Sequence, residues 1–133
     1  MLATAIHNKK SILGNTKPDH PVQLDLIRLT SNLGDLDLFN TARDLDGCGI
    51  PVFGIPVESV ALAMAKFADP DVLSQSEKAA CIQIREACGK IPVMISGNNK
   101  INTLIQAETA DKAVVKGGAE GVYTAAINSL GLG

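Results

Sequence analysis

The segment D-L-D-G-C-G-I-P-V-F-G-I-P at residues 44–56 restricts the backbone of this chain more than any other stretch. Gly47 and Gly49 flank Cys48, and Pro51 and Pro56 follow it. Glycine permits conformations and close approaches that other residues cannot make, whereas proline fixes φ and removes a hydrogen-bond donor. One interpretation is a rigid segment that presents Cys48 at one place. The other, which the local pattern alone favours, is a tight turn with a small buried thiol.

Helical periodicity dominates the rest of the chain. Apolar residues at helical spacing follow Pro21 as far as Gly34, which is predicted to end that helix. A second stripe covers residues 57–67, and a third follows the capping box S-Q-S-E at residues 74–77 and stops at Gly89. Three sulfur-containing residues on these stripes are interpreted as core residues: Met64, Cys81 and Cys88.

The remaining segments give weaker signals. Helices are predicted at residues 1–10 and 100–107, and a short helical turn is predicted within residues 38–42 of a segment, 35–47, that otherwise reads as loop. Residues 91–95 are ambiguous between strand and helix because a short apolar run fits either.

Two short segments near the end of the chain predict a β-hairpin. Residues 112–115 and 122–127 are rich in β-branched or small residues, and K-G-G-A-E-G at 116–121 separates them. We expect the aliphatic stem of Lys116 to pack and its ammonium to lie at the end of the strand. Desolvation there would lower the pKa of the ammonium, which would suit a base or an oxyanion partner. A solvated lysine is the equal alternative. The elements together predict an α/β chain of the α+β type, mostly helical with a terminal β-hairpin.

Composition and charge exclude several classes of protein. The 133 residues suit a single domain with a real core, and the net charge of −2 with 3% aromatic residues argues against nucleic-acid binding. No apolar run reaches the ~18 residues of a membrane span, and the first charged residues follow the apolar ones, unlike those of a secretory signal.

The cysteines number three, and Cys81 and Cys88 lie too far apart along a helix to form a disulfide. A reduced, cytoplasmic protein is predicted, with no membrane partner.

Familiar catalytic motifs are absent from this sequence. K-G-G-A-E-G lacks the spacing of a phosphate loop or of a dinucleotide fingerprint. Cys48 lacks the neighbouring cysteines and histidines of a closed zinc site, and no serine is followed by lysine three residues later. The chain therefore offers accessory active-site residues without a recognisable nucleophile.

Three segments taken together resemble the asparaginase II family, the rhizobial type of L-asparaginase. They are D-L-D-G-C-G-I-P-V-F-G-I-P, V-E-S-V-A-L-A-M-A-K-F-A and V-V-K-G-G-A-E-G-V-Y, and the likeness includes H-N at residues 7–8 and H-P-V-Q at 20–23. The resemblance implies the fold of the penicillin-recognising serine hydrolases, which is β-lactamase-like. It also implies hydrolysis of L-asparagine, or of a similar small amide, to the acid and ammonia, with no required cofactor.

The resemblance also implies roles for residues of the two glycine-rich segments. Lys116 matches a strand lysine that supports the nucleophile, and Asp46 matches an acidic residue placed to meet the ammonium of the substrate. Cys48 matches a cysteine that pairs with a cysteine and a lysine of an upstream motif and can hold zinc. The other matched positions, interpreted as substrate-binding, are Gly47, Gly49, Gly118 and Glu120.

One segment departs from the family pattern. Where the family tends to show G-T-G-R-x-D-T, this chain has G-N-N-K-I-N-T at residues 97–103. Lys100 keeps a positive charge, but Asn102 replaces a negative one. The difference bears on substrate specificity or on activity.

The family carries S-x-x-K and C-S-G-K-H-A-G motifs ahead of the segment that begins M-L-A, and it continues beyond L-G-L-G. The resemblance therefore implies that residues 1–133 are a single truncated domain that lacks the nucleophile part and the last strand and helix, and that is inactive alone. Self-association or a complementing N-terminal piece is expected. The alternative is a non-catalytic amino-acid-binding or interaction module that retains the family fold.

Overall fold

The computed structural model describes residues 1–133, with more helix than strand, and it divides into two compact units, Met1–Ser59 and Val60–Gly133. The helices are α1 (Leu2–His7), α2 (Pro21–Gly34), α3 (Val57–Ala68), α4 (Gln75–Lys90), α5 (Val93–Ser96) and α6 (Ile101–Thr109). The strands are β1 (Arg43–Leu45), β2 (Pro51–Phe53), β3 (Ala113–Gly117) and β4 (Tyr123–Ile127).

The α+β class is confirmed, whereas the β-lactamase-like fold and the single truncated domain stay predictions. None of the helices combines the length and apolar character that crossing a bilayer requires.

In the first unit, the imidazole of His20 caps helix α2. Its Nδ1 accepts a hydrogen bond from the N–H of Val22 (3.2 Å), and its Nε2 donates to the carbonyl of Ser11 (2.9 Å). Pro21 occupies the first turn, where a missing N–H costs nothing. His20 thereby joins α2 to the preceding loop. Val22 is buried in a core that also contains Ala5, Ile27 and Leu38.

The first unit contains a small sheet that the sequence pattern did not predict. Strands β1 and β2 pair antiparallel, with Arg43 opposite Phe53 and Leu45 opposite Pro51. The predicted loop over residues 35–47 is therefore wrong at 43–45, although the helical turn expected there is confirmed as a 3₁₀ turn at Leu38–Asn40. Each strand has only three residues, too few to show an alternating pattern.

Two glycines predicted to stop helices also allow close packing. The end of α2 at Gly34 is confirmed, whereas α4 continues one residue past Gly89. Gly34 is the last residue of α2, and the left-handed residue that ends the helix is Asp35 (φ 52°). A Cβ on Gly34 would lie 2.5 Å from Cδ2 of Leu36 and 3.2 Å from the carbonyl oxygen of Ser59. Gly89 lies inside α4, where a Cβ would lie 3.2 Å from the carbonyl oxygen of Ala110.

In the second unit, helix α4 begins at the predicted capping box. The N–H of Ser74 donates to Oε2 of Glu77 (3.0 Å), and the N–H of Glu77 donates to Oγ of Ser74 (3.4 Å). The Ser74 hydrogen bonds lower the pKa of the Glu77 carboxyl. Of the three sulfur-containing residues expected in the core, Cys81 is buried, while Met64 and Cys88 are half-buried. The ambiguous segment 91–95 is mostly the short helix α5.

The predicted terminal hairpin is confirmed as strands β3 and β4. They pair antiparallel, with Val115 opposite Ala125, Lys116 opposite Thr124 and Gly117 opposite Tyr123. Ala113, Val114 and Val115 are buried, and Lys116 is the first exposed residue of β3. The packed part of the strand therefore ends immediately before the lysine.

The fully buried amide of Gln106 joins helix α6 to strand β3. Its Nε2 donates to the carbonyls of Ala110 (2.7 Å) and Ala113 (2.9 Å), and its Oε1 accepts from the N–H of Val115 (3.2 Å). The side chain thus supplies hydrogen bonds that a neighbouring strand would otherwise give. Gln106 fixes the position of β3 relative to α6.

Replacing Gln106 by leucine tests this clamp. We expect Gln106→Leu to lower the free energy of unfolding of the second unit by about 2–4 kcal/mol, because buried backbone groups lose their partners. Urea unfolding followed by amide signals of β3 measures the change. Gln83→Leu, on the exposed face of α4, is the matched control and should change stability by less than about 0.5 kcal/mol. Equal effects of the two substitutions would contradict the clamp.

Candidate functional site

Residues 46–50 form a tight loop between β1 and β2 that displays the predicted cysteine. The N–H of Gly49 donates to the carbonyl of Asp46 (2.9 Å), and the N–H of Asp46 donates to the carbonyl of Ile50 (3.0 Å). Gly49 has φ +71°, a left-handed value that suits glycine. This arrangement is typical of a three-residue hairpin loop closed by a glycine bulge.

The carboxylate of Asp46 holds this loop together. Its Oδ1 accepts the N–H groups of Cys48 (2.8 Å) and Ile50 (3.0 Å), so one oxygen orders the whole turn. Its Oδ2 makes no hydrogen bond within the chain, and the residue is exposed. Asp46 therefore has a structural oxygen and an oxygen that can accept a further donor.

The thiol of Cys48 is exposed, which contradicts the interpretation as a small buried thiol. Gly47 beside it has no atom within 4 Å of where a Cβ would be, so its surroundings are open. Burial raises the pKa of the Cys81 thiol and of the Cys88 thiol. All three cysteines are free.

In the second unit, Lys116 lies at the exposed end of β3. Its Nζ donates to the carbonyl of Gly117, and the residue lines a cavity of about 320 Å³ with apolar walls that include Ile91 and Ile95. The expected packing of the stem fits this position. The side chain is exposed, however, so the expected desolvation of the ammonium is not found.

The rest of K-G-G-A-E-G is a compact turn. The N–H of Gly118 donates to the carbonyl of Val122 (2.7 Å), and a Cβ on Gly118 would lie 3.3 Å from Cβ of Val122. Glu120 (φ 55°) and Gly121 (φ 79°) are both left-handed. A glutamate held in that region costs about 1–2 kcal/mol, and such strain clusters at functional sites.

Asn102 lies against the strand residue that follows Lys116. A Cβ on Gly117 would lie 3.2 Å from both Oδ1 and Nδ2 of Asn102, so a larger residue there would displace the amide. Nδ2 donates to Oγ of Ser96 (2.7 Å), while the buried Oδ1 has no partner. The residue that departs from the family pattern is therefore next to the lysine strand.

The structure brings the predicted residues together in two sets. Asp46, Gly47, Cys48 and Gly49 share the loop of the first unit, and Lys116, Gly118 and Glu120 share the strand end and turn of the second. That both sets act on one substrate stays a prediction. Sequence reasoning missed Ser96 and Gln106, because no local pattern shows which polar side chain contacts the backbone or amide of another element.

The residues of this chain do not form a metal site by themselves. No group of three or more histidine, cysteine, aspartate or glutamate side chains is placed to hold an ion. Near Cys48, Oδ1 of Asp46 is already used by backbone amides. A tetrahedral zinc site would therefore need ligands besides these.

Hydrogen exchange tests the structural role of Asp46. We expect Asp46→Ala to speed exchange of the Cys48 and Ile50 amides about five- to tenfold, since each loses a hydrogen bond of about 1 kcal/mol. Asp46→Asn keeps an oxygen acceptor and should preserve the protection. Asp44→Ala, which removes only the bond to the Leu45 amide, is the control. Unchanged exchange in Asp46→Ala would show that the turn does not depend on this carboxylate.

Thiol labelling tests the exposure and ionisation of the cysteines. A thiol reacts as its thiolate, and a raised pKa means that less thiolate is present at a given pH. At pH 8 we expect one fast phase from Cys48, absent in Cys48→Ser, and slow phases from Cys81 and Cys88 that accelerate as the pH rises above 9. A fast phase that survives in Cys48→Ser would refute this assignment.

Comparison with known proteins identifies the family to which these motifs belong. The family model described as L-asparaginase II matches residues 1–133, the whole of the chain. A search of curated proteins found no match. The match includes the loop of Asp46 and Cys48, the turn that follows Lys116 and the Asn102 segment, so this chain belongs to the L-asparaginase II family.

Proposed function

We propose that this chain supplies substrate-binding and proton-handling side chains to an L-asparaginase-type amidohydrolase. The reaction would convert L-asparagine to L-aspartate and ammonia. The observation that carries the proposal is the loop of Asp46, which has an ordered, exposed carboxylate with one oxygen free. Membership of the L-asparaginase II family supports an amide substrate.

Asp46 would bind the α-ammonium of the substrate. The two backbone N–H groups on Oδ1 hold the carboxylate in one orientation, so Oδ2 is pre-positioned. A charge-assisted hydrogen bond from an ammonium to such an oxygen is stronger than a neutral one. Gly47 and Gly49 would allow the substrate to approach the loop closely because they lack side chains.

Lys116 would act on the nucleophile. In the proposed reaction a serine oxygen attacks the carboxamide carbon, ammonia leaves with a proton, and water then hydrolyses the acyl-enzyme. A lysine ammonium beside the serine would lower its proton affinity or stabilise the negative charge of the tetrahedral intermediate. Lys116 would have to exchange its present contact with the Gly117 carbonyl for this one.

The nucleophile would come from residues other than 1–133. No serine of this sequence stands in an S-x-x-K motif, the motif that the family resemblance implies. We therefore propose that the chain alone binds L-asparagine without appreciable turnover. We also propose that zinc, where it binds, takes one thiolate from Cys48 and its remaining ligands from elsewhere, and no step of the reaction depends on it here.

A non-catalytic role in amino-acid binding is the second candidate. Asn102 favours it, because a neutral amide replaces the family's carboxylate against the lysine strand. A module of this kind would keep the Asp46 loop and lose the chemistry. In this case a serine-bearing family segment added to the chain would restore no hydrolysis.

Calorimetric titration with L-asparagine tests the role of Asp46. We expect Asp46→Asn to weaken binding about 10- to 100-fold, since a hydrogen bond to a charged group is worth about 1.5–3 kcal/mol. Asp46→Asn keeps the acceptor that orders the loop, so the loss would report the missing charge. Asp44→Asn, an exposed neighbour, is the control and should bind as the unaltered chain does. Equal affinity of Asp46→Asn and the unaltered chain would exclude the proposed ammonium contact.

Ammonia release separates the two candidate functions. The chain alone should release ammonia from L-asparagine only at the background rate. Addition of a family segment that carries S-x-x-K and C-S-G-K-H-A-G should raise the rate, and Lys116→Met should abolish the gain. Sustained release by the chain alone would contradict the proposal that the nucleophile comes from other residues, and binding without any gain would favour the binding module.

A further inference from the structure

A cavity of the second unit lies outside both glycine-rich motifs. It has a volume of about 540 Å³ and is bordered by the end of α3, the 3₁₀ turn Pro70–Val72, one face of α4 and the segment after β4. Pockets of a few hundred Å³ hold small molecules. Its polar wall includes Asp69, Asp71, Lys78, Arg85 and Asn128.

Two of the charged residues neutralise each other. Nζ of Lys78 lies 2.6 Å from Oδ1 of Asp71, and this hydrogen bond is the main cause of the lowered pKa of the Asp71 carboxyl. This pair leaves little net charge for a ligand. The recognition of a ligand therefore depends on the two remaining charges, Asp69 and Arg85.

The carboxylate of Asp69 makes no hydrogen bond or ion pair within the chain. Asp69 precedes the turn Pro70–Val72, yet its side chain does not cap it. Gly131 packs against it with φ +62°, and a Cβ on that glycine would lie 3.2 Å from Cβ of Asp69. The segment after β4 therefore holds an unpaired carboxylate at the rim of the cavity.

The guanidinium of Arg85 is anchored on one side and free on the other. Its Nη1 donates to the carbonyls of Ala68 and Phe67 at the C-terminal end of α3. Nη2 and Nε make no hydrogen bond within the chain. A guanidinium fixed in this way presents donors that match a carboxylate.

The side chain of Asn128 belongs to the same wall. Its backbone N–H donates to the carbonyl of Lys112 (2.8 Å), and its Nδ2 donates to the carbonyl of Asp111. Its Oδ1 is buried and has no partner. The side chain of Asn128 is therefore fixed in the wall by its hydrogen bond to Asp111, and no group of the chain uses its acceptor oxygen.

We propose that this cavity binds a small free amino acid, with the α-carboxylate on Arg85 and the α-ammonium on Asp69. The two acidic and two basic side chains of the wall sum to zero charge, so a ligand with one charge of each sign leaves none uncompensated. A simple anion would face the unpaired Asp69, and a simple cation would face the guanidinium. None of its lining residues belongs to the Asp46 loop or to the Lys116 turn, and the proposal stands whether or not the chain is part of an asparaginase.

Titration with glycine, followed by amide and guanidinium NMR signals of the whole chain, tests the site. We expect saturable shifts at Asp69, Arg85 and Asn128, with acetate, methylammonium and inorganic phosphate binding at least tenfold more weakly than glycine. Asp69→Asn should weaken glycine binding at least tenfold. Because Asp69 is exposed and unpaired, this substitution leaves the fold intact. Asp71→Asn, which removes a carboxylate already paired with Lys78, is the matched control and should change the affinity less than threefold.

The sign of the Asp69→Asn effect distinguishes a zwitterion site from an anion site. If the cavity held only anions, loss of the carboxylate would strengthen binding of phosphate and acetate, and that result would overturn the proposal. Absence of shifts at these residues with glycine would also overturn it. Shifts with L-asparagine at residues 46–49 report the proposed asparaginase site instead, so the two proposals can fail separately.

Discussion

The buried amide of Gln106 organises the part of this chain that carries Lys116. It bonds to carbonyls at the end of α6 and the start of β3 and to the N–H of Val115, one residue before the lysine. A two-stranded hairpin is marginal on its own, and β3 pairs with β4 on one edge and with no strand on the other. The glutamine takes the place of that strand and fixes where β3 ends. The position of the lysine therefore follows from a residue that would never contact a substrate.

In the first unit, the side chain of Asp46 likewise bonds to the backbone and fixes the position of a segment. One of its oxygens accepts two backbone N–H groups of its own loop, and the other stays free. A carboxylate ordered by the backbone loses little conformational freedom when it binds an ammonium, which is the advantage of preorganisation. Substitutions that keep the acceptor but remove the charge therefore separate the structural and binding roles of this residue.

The sequence predicted the elements whose signals are local and repeated. The helix from Pro21, the capping box at Ser74 and the terminal hairpin are confirmed, because periodicity, caps and β-branched runs determine them. The sheet of β1 and β2 was not predicted, since strands of three residues carry no period. The predicted helix end at Gly34 is confirmed and the one at Gly89 is one residue early, but no local pattern shows that both glycines permit contacts with distant backbone. The local pattern singled out Cys48 and Lys116, and the resemblance implied the roles of the motif residues. The oxygen that Asp46 leaves free, and the choice between a desolvated and an exposed Lys116, required coordinates.

The central proposal is that the residues of the Asp46 loop and Lys116 act on one substrate. Cys48 is the exposed cysteine of the chain, and Lys116 is exposed as well. A short thiol-to-amine cross-linker can therefore test this proposal. Mass spectrometry of the linked peptides should show Lys116 as the principal partner of Cys48, with the link lost in Cys48→Ser. Links from Cys48 to other lysines, with Lys116 unmodified, would contradict the claim.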